Sequence, residues 1–253
     1  CLSDWSSDVC ASDLKAKVTL IEKHKMGGDC LNAGCVPSKA LLAAAGAAQA
    51  QRTGSDFGIA PVEPRVDFGK VMDHVAGVIE AIAPNDSVER FEKLGVRVLG
   101  EHARFVSPTE LQAGKHRIRS KRFVLATGSR PSIPPIPGLS GVPFLTNETL
   151  FANRELPEHL VVVGGGPIGL EMAQAFRRLG ARVTVLEVAA FLAKDDPELA
   201  AIVVARLRAE GIDLHRMVDD QVDVDQRVDR RDVTTDVGHR VAHRGEIDYR
   251  GNP

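Results

Sequence analysis

The sequence predicts an α/β fold, and three stretches of the chain carry that prediction. Residues 17–22 have the composition of a short β-strand and end in an acid, Glu22. Residues 160–187 contain an apolar run, a glycine turn, a helical stretch, a second apolar run and another acid, Glu187, in that order. Short strand-like runs at 96–119 lie between them. Together they predict two Rossmann-like dinucleotide-binding domains, the first incomplete and the second partial, with a small antiparallel β element inserted in the first.

Two cysteines five residues apart, Cys30 and Cys35, stand between a glycine pair and the start of an apolar helix. An ideal helix would hold their Cα atoms about 8.6 Å apart, whereas a disulfide needs them within roughly 7 Å. If the two cysteines pair, the backbone between them therefore cannot be a regular helix. Asn32 and Gly34 are residue types that tolerate such a distortion.

The residues after the second cysteine indicate that one of the two sulfurs is activated. Pro37 has the fixed φ that suits a first helical turn, and Lys39 lies one helical turn beyond Cys35. A helix N-terminus and a nearby ammonium group both favour thiolate over thiol. The pattern predicts a reversible dithiol. Half of a metal site and two buried structural cysteines are the alternatives, although no second Cys or His pair with zinc spacing stands nearby.

With Gly27 and Gly28 before it and a Pro-Ser-Lys tripeptide after it, the cysteine block resembles the redox-active segment of the flavin-dependent pyridine nucleotide-disulfide oxidoreductases. The resemblance implies an enzyme, homodimeric when intact, that passes electrons from NAD(P)H through FAD to a Cys30–Cys35 dithiol. The final acceptor would be a small-molecule disulfide, dithiol or metal ion. Cys35 would lie nearer the flavin and hold the thiolate, and Cys30 would attack the substrate. Asp29 is closer to the mercuric reductase-like members of the family than to the dihydrolipoamide dehydrogenase-like ones.

The composition of the chain limits the binding partners and the cellular compartment that can be expected for it. The chain has 253 residues, 43% hydrophobic and 26% charged, which is ordinary for a globular protein. Its formal charge of −2 provides no basic field for nucleic acid or an anionic membrane. No apolar run is long enough to cross a bilayer, and no secretory signal pattern is visible. Four cysteines, two of them in a redox-like pair, fit a reducing, cytoplasmic environment better than a secreted disulfide framework.

The first domain is predicted over residues 15–140 as a partial FAD-binding domain. Residues 1–14 repeat Ser-Asp-apolar three times, and we expect them to be a non-native leader. Glu22 sits where the family bonds the adenosine ribose of FAD, with a solvated strand-end acid as the alternative. The Gly-x-Gly-x-x-Gly turn expected about 20 residues upstream is absent, because no glycine precedes Gly27. A chain without that turn should hold FAD poorly.

Helices and short strands are expected through the rest of this domain. We predict a helix over 40–50, a turn-like stretch over 51–65, a helix over 66–94 interrupted at Pro84, strands at 96–99 and 103–106, and a hairpin at 110–112 and 116–119. Residues 122–128 predict a buried strand that ends in a glycine turn. Its last residues, Ala126, Thr127 and Gly128, resemble the family's segment that lies against FAD.

The second domain, predicted over residues 141–218, contains the complete fingerprint of a dinucleotide-binding unit. An apolar run leads into Gly164, Gly166 and Gly169, which satisfy Gly-x-Gly-x-x-Gly. These glycines let the backbone approach a pyrophosphate, and helix N–H groups meet its charge. Glu187 completes the unit at the end of the second strand.

Glu187 favours NADH over NADPH, because an acid bonds ribose hydroxyls where an arginine would accommodate a 2′-phosphate. A surface acid and the use of NADPH stay open as the alternative. Glu171 follows on the predicted helix, and the resemblance places it near the nicotinamide, paired with the lysine that Lys39 matches. An ordinary acid in the first helical turn is the alternative. The catalytic candidates are therefore Cys30, Cys35, Lys39 and Glu171.

Residues 219–253 change in character, since they contain neither Leu nor Phe and are rich in Asp, Arg and Val. We expect an aberrant or disordered tail outside the resemblance. His239 and His243 are interpreted as solvated side chains, and no metal ligands are predicted.

Three functions compete for the chain. The first is a flavoprotein disulfide oxidoreductase that is inactive as this fragment, and the second is a non-catalytic NADH-binding fragment without bound flavin. The third, an electron-transfer flavoprotein reductase without dithiol chemistry, is disfavoured by the cysteine block.

Overall fold

The protein is described by a computed structural model that covers residues 16–217 and 233–235. In the first half of the described chain, one short strand is followed by four α-helices and then by four more strands. Its elements are β1 (Thr19–Ile21), α1 (Gly28–Ala33), α2 (Cys35–Arg52), α3 (Phe68–Ile82), α4 (Val88–Lys93), β2 (Arg97–Leu99), β3 (Ala103–Ser107), β4 (Glu110–Ala113) and β5 (His116–Arg119).

Helix α3 shows how local chemistry sets an element. It begins after Asp67, whose Oδ1 accepts a hydrogen bond from the Lys70 N–H. Its buried residues Phe68, Met72 and Val75 recur at helical spacing and face the core.

The predicted interruption at Pro84 is confirmed. Residues Ala83–Asp86 form a short 3₁₀ turn around the proline. Ser87 then starts α4, because its hydroxyl oxygen accepts a hydrogen bond from the Arg90 N–H. The stretch predicted as one broken helix is therefore two helices with separate caps.

Two small sheets belong to this half. Strands β1 and β2 pair in parallel, with Leu20 opposite Val98. Strands β3, β4 and β5 form an antiparallel sheet in which Leu111 lies between Phe105 and Ile118. The predicted antiparallel β element is confirmed.

The buried strand predicted over 122–128 is wrong. Residues 121–136 form neither helix nor strand, and the side chains of Val124 and Leu125 are 74% and 73% exposed. A strand needs a neighbour for its ladder of hydrogen bonds. Strand β1 pairs with β2 on one edge, and among residues 16–217 and 233–235 no strand lies along its other edge. The apolar run at 122–128 therefore has no neighbouring strand in the described part of the chain with which to form hydrogen bonds, and it lies on the surface.

The second half forms a five-stranded parallel sheet in the order β6-β10-β7-β8-β9. Its elements are β6 (Phe144–Leu145), α5 (Asn147–Leu150), β7 (His159–Val163), α6 (Pro167–Leu179), β8 (Arg182–Glu187), α7 (Pro197–Ala209), β9 (Asp213–Arg216) and β10 (Val233–Thr235). The glycine turn between β7 and α6 follows a central strand, as a doubly wound sheet requires. The α/β fold class is confirmed.

Strand β10 lies inside the segment predicted to be an aberrant or disordered tail. Its three residues pair in parallel with β6 on one side and β7 on the other. They read Val-Thr-Thr, a β-branched run of the kind that strands favour. The expectation for residues 219–253 rested on their average composition, which does not reveal this short β-branched run. The rest of that segment lies outside the described residues, as does the predicted leader.

One hydrophobic core joins the two halves. Leu41 and Ala45 of α2 are fully buried in it together with Ala173 and Phe176 of α6. The ring centroids of Phe68 and Phe176 lie 5.5 Å apart. The alanine-rich helix after the cysteines, predicted over 40–50 and observed to Arg52, is thus packed directly on the helix of the nucleotide fingerprint.

The buried carboxylate of Glu210 joins the C-terminal ends of α6 and α7. The side chain of Glu210 is 5% exposed and accepts hydrogen bonds from Arg178 at 2.7 Å and from Arg206 at 2.8 Å. Arg52 Nη1 donates to the carbonyl oxygen of Arg178, which ties α2 to α6. Burial alone would raise the pKa of Glu210, but the hydrogen bonds from the two guanidinium groups outweigh it and lower that pKa.

We predict that Glu210→Gln lowers the free energy of unfolding at pH 7 by about 2 kcal/mol, because it leaves two guanidinium groups without their shared anion. Asp73→Asn is the matched control. Its ion pair with Arg154 is exposed on both sides, and its loss should cost about 0.5 kcal/mol or less. Urea unfolding followed by circular dichroism measures both.

The stabilisation that Glu210 provides depends on pH in a direction set by its pKa shift. Since the folded-state pKa of Glu210 is lowered, its stabilisation is fully present above the unfolded pKa of about 4.3. That stabilisation is lost as the pH falls through the folded value. The difference between wild type and Glu210→Gln should therefore shrink below about pH 4.3. A difference that grows on acidification would contradict this account.

Candidate functional site

The glycine pair ahead of the cysteines is required by its backbone conformation. Gly27 and Gly28 have φ of +84° and +54°, a region that other residues rarely adopt. A Cβ on Gly27 would overlap the side chain of Leu31, which is buried. The Leu31 N–H donates to the carbonyl oxygen of Gly27 at 3.2 Å. The pair thus turns the chain sharply out of the β1 region and into α1.

The backbone between the cysteines is broken at Gly34, as a pairing of the two cysteines would require. Helix α1 ends at Ala33 and α2 begins at Cys35, with Gly34 at φ −133° and ψ −119°. A Cβ at Gly34 would stand 2.9 Å from the carbonyl oxygen of Asp29. The break is therefore possible only because this position carries no side chain.

The two sulfurs are neighbours with different surroundings. Both cysteines are thiols in the structure, Cys30 half-buried and Cys35 exposed. Burial raises the pKa of the Cys30 thiol, and a hydrogen bond and charge repulsion from Cys35 raise it further. Cys35 is the first residue of the 18-residue helix α2, and Lys39 follows one turn later.

Lys39 and Glu171 lie on the two helices that pack together, α2 and α6, and both side chains are exposed. The ion pairs formed within the described parts of the chain do not include one between them. Their joint role beside the dithiol stays a prediction.

The residues expected near FAD gather partly around the start of α1. Gly128 has φ +69°, and a Cβ on it would stand 3.4 Å from Asp29 Oδ2. The segment containing Ala126 and Thr127 is exposed and irregular, and Gly128 at its end lies near the side chain of Asp29. Glu22 follows β1 directly, and its Oε1 accepts a hydrogen bond from the His24 N–H at 2.7 Å.

The second fingerprint is assembled as the sequence predicts. Gly164 turns the chain at φ +122°, and Gly166 caps α6 with Pro167 in its first turn. Gly169 is buried in the same turn of the helix. No side chain caps the start of α6, so its backbone N–H groups and positive end fit a pyrophosphate.

Glu187 lies beside this glycine turn and is hydrogen-bonded to it. Its Oε2 accepts from the Gly165 N–H at 2.6 Å, and its Oε1 accepts from the Ala189 N–H at 2.7 Å. A Cβ on Gly165 would overlap the ring of Phe191 and stand 3.1 Å from Glu187 Cβ. The sequence argument missed Gly165 and Phe191, because the fingerprint leaves the first variable position open and Phe191 contacts it through space.

Two negative findings apply to the described residues alone. No cluster of three or more His, Cys, Asp or Glu side chains within them could hold a metal ion. No helix among them is long and apolar enough to cross a membrane.

Comparison with known proteins identifies the family. The sequence model described as pyridine nucleotide-disulphide oxidoreductase matches residues 9–247. The chain belongs to that family. The match extends into residues 9–14 and 219–247, so the resemblance is wider than the span of 15–218 expected from the motifs.

Curated family members and a solved structure agree with this assignment. The mercuric reductase of Streptomyces lividans is 34% identical over 217 residues, which are 83% of this chain and 46% of that protein. The mercuric reductase of Bacillus cereus is 32% identical over 211 residues, 83% and 33% of the two chains. The copper(II) complex of the HOCl-induced flavoprotein disulfide reductase RclA from Escherichia coli matches with TM-score 0.69 and 27% identity, over 83% and 45% of the two chains. The chain thus spans less than half the length of these relatives.

We predict that Gly34→Ala lowers the free energy of unfolding by about 1–3 kcal/mol, because the new methyl group meets the backbone of Asp29 and overpacking costs that much. Gly46→Ala in the middle of α2 is the control. A Cβ there meets nothing within 4 Å, and the change should stabilise the helix by about 0.5–1 kcal/mol. Urea unfolding compares the two. A Gly34→Ala chain as stable as Gly46→Ala would show that the break does not need the close approach.

Proposed function

We propose that the chain supplies the dithiol and the nucleotide-binding unit of an FAD-dependent disulfide oxidoreductase that uses NAD(P)H, with NADH favoured. The observation that carries the proposal is the pair Cys30 and Cys35 on either side of a helix break, hydrogen-bonded to each other. The second cysteine begins a helix that packs on the helix of the nucleotide fingerprint. We propose a homodimer for the full-length protein, as its relatives' family implies.

The dithiol would act by exchange. The sulfur of Cys30 loses its proton and attacks one sulfur of a disulfide substrate, and the other sulfur, which is expelled, takes up that proton. Cys35 then attacks the Cys30 sulfur, which closes the Cys30–Cys35 disulfide and releases the second half of the substrate as a thiol. In this step Cys35 would act from the first position of α2, with Lys39 one turn further along the same helix.

A soft metal ion is the other candidate substrate. Two thiolates held side by side are ligands that such ions prefer. Both curated relatives described above are mercuric reductases, which supports this choice for the full-length protein. Cys30 and Cys35 would then bind the ion together rather than exchange with it.

The cofactor residues fit their groups to different degrees. Gly164, Gly166, Gly169 and Glu187 would hold the NADH pyrophosphate and ribose, because the turn lies at an uncapped helix start with a carboxylate beside it. For FAD the candidates are Glu22, Gly27, Gly28, Ala126, Thr127 and Gly128. FAD, when bound, relays electrons between nicotinamide and dithiol, and Glu171 would orient the nicotinamide.

A second candidate function is non-catalytic binding of NADH without flavin by the isolated chain. The observation that favours it is the contrast between the two units. The second has a glycine turn after a central strand, whereas in the first the segment expected against FAD forms no strand and its Val124 and Leu125 side chains are exposed.

The two candidates predict different spectra. The first predicts a purified chain with flavin absorbance and a long-wavelength band on two-electron reduction, and that band should disappear in Cys35→Ser. The second predicts NADH binding with no flavin absorbance, even after incubation with excess FAD. A band that persists in Cys35→Ser would show that Cys35 is not the sulfur beside the flavin.

Nucleotide preference is tested by fluorescence titration with NADH and NADPH. We expect wild type to bind NADH more tightly, and Glu187→Arg to reverse the order, because the arginine replaces a repelling carboxylate with a partner for the 2′-phosphate. Gly165→Ala should weaken both nucleotides at least tenfold, since its methyl group overlaps Phe191. Glu158→Arg, an exposed acid ahead of β7, is the charge control. Tighter NADPH binding by wild type would overturn the NADH preference.

A further inference from the structure

The side chain of Asn32 binds two backbone carbonyl groups at once. Its Nδ2 donates to the carbonyl oxygen of Met26 at 3.0 Å and to that of Gly28 at 2.8 Å. One amide nitrogen carries two protons, so both bonds can form together. The residue therefore clamps the chain ahead of the glycine pair to the first residue of α1.

Apart from this clamp, α1 is held mainly by the buried side chain of Leu31. The helix is six residues long, and no side chain caps its N-terminus. Helices of that length are not stable by themselves in water. It stands between two glycine positions, Gly28 and Gly34, at which the backbone is least restricted. Cys30 lies in the middle of this short helix.

We propose that Asn32 is a positioning residue that sets the approach of Cys30 to Cys35 and so the tendency of the two thiols to form a disulfide. The inference rests on the dithiol function proposed above. Asn32 acts through the backbone, because its two bonds hold the turn from which α1 starts and therefore the place of the Cys30 sulfur relative to the start of α2.

The reaction on which Asn32 acts is balanced with glutathione as the partner. The thiols of Cys30 and Cys35 react with one glutathione disulfide to give the Cys30–Cys35 disulfide and two glutathione thiols. The equilibrium constant measures how closely the reduced protein holds the sulfurs together. A clamp that preorganises the reduced form avoids part of the entropy cost of closing the ring.

The size of the effect follows from the two hydrogen bonds. Each such bond shifts an equilibrium constant by roughly two- to twelvefold. Asn32→Asp should lower the constant about tenfold or more, because a carboxylate of the same shape points negative oxygens at two carbonyl oxygens. Asn32→Leu, which removes the donors without adding charge, should lower it less.

The test uses the full 253-residue chain with Cys1→Ser and Cys10→Ser, so that only the dithiol can react. Each protein is equilibrated with graded ratios of glutathione to glutathione disulfide and quenched by alkylation. Digestion with trypsin after Lys25 and Lys39 gives one peptide that contains both cysteines. Mass spectrometry of that peptide gives the oxidised fraction at each ratio.

Asn153→Asp is the matched control. Its Nδ2 donates to the carbonyl oxygen of Glu155 at 2.7 Å in a loop remote in sequence from the dithiol. The expected result is an unchanged constant in Asn153→Asp and a reduced one in both Asn32 variants, with all chains folded by circular dichroism. Wild-type constants in both Asn32 variants would overturn the inference alone, even if their melting temperatures fell. A wild-type chain that forms no Cys30–Cys35 disulfide at any ratio would overturn the proposed dithiol function, and the role of Asn32 with it.

Discussion

Both candidate sites depend on the packing of α2 against α6. Ala45 and Ala173 have no exposed surface in this contact, and small side chains let two helix backbones come close together. Arg52 joins the far ends of the same helices through a backbone carbonyl. Since Cys35 begins α2 and Gly166 caps α6, each helix offers its positive end to one site while burying its side in a shared core. The dithiol and the nucleotide turn are therefore held to each other by the core itself.

The dithiol segment obtains its shape largely from the backbone, and Leu31 is the buried side chain of its first helix. Gly27 and Gly28 occupy the left-handed region, and Gly34 brings its Cα against a carbonyl group. Glycine at such positions increases the entropy lost on folding. The hydrogen bonds of Asn32 offset part of that loss at the point where the segment is loosest. A geometry set in this way can keep two sulfurs adjacent without a bulky core around them, and it leaves Cys30 half-buried and Cys35 exposed.

Features decided by neighbouring residues were predictable from the sequence. The helix break between the cysteines followed from their spacing once a pairing was assumed, and the glycine fingerprint followed from its motif. Features decided by distant partners were not. Most residues at 122–128 are apolar and of the kind that is usually buried. A strand also needs a neighbouring strand, and no local sequence pattern reveals whether one is present. The contact of Gly165 with Phe191 and the double hydrogen bond of Asn32 likewise appear only when the chain is folded.

The contrast between the two nucleotide units has the same origin. Strand β7 has a parallel neighbour on each side, β10 and β8, so the turn that follows it is anchored on a central strand. Strand β1 pairs on one side with β2 within the described residues, and the segment expected to lie against FAD is exposed. Binding of NADH needs only the first arrangement, and thiol–disulfide exchange needs only accessible sulfurs. In the proposed function the two partial reactions therefore have separate structural requirements, and the flavin would couple them without forming either site.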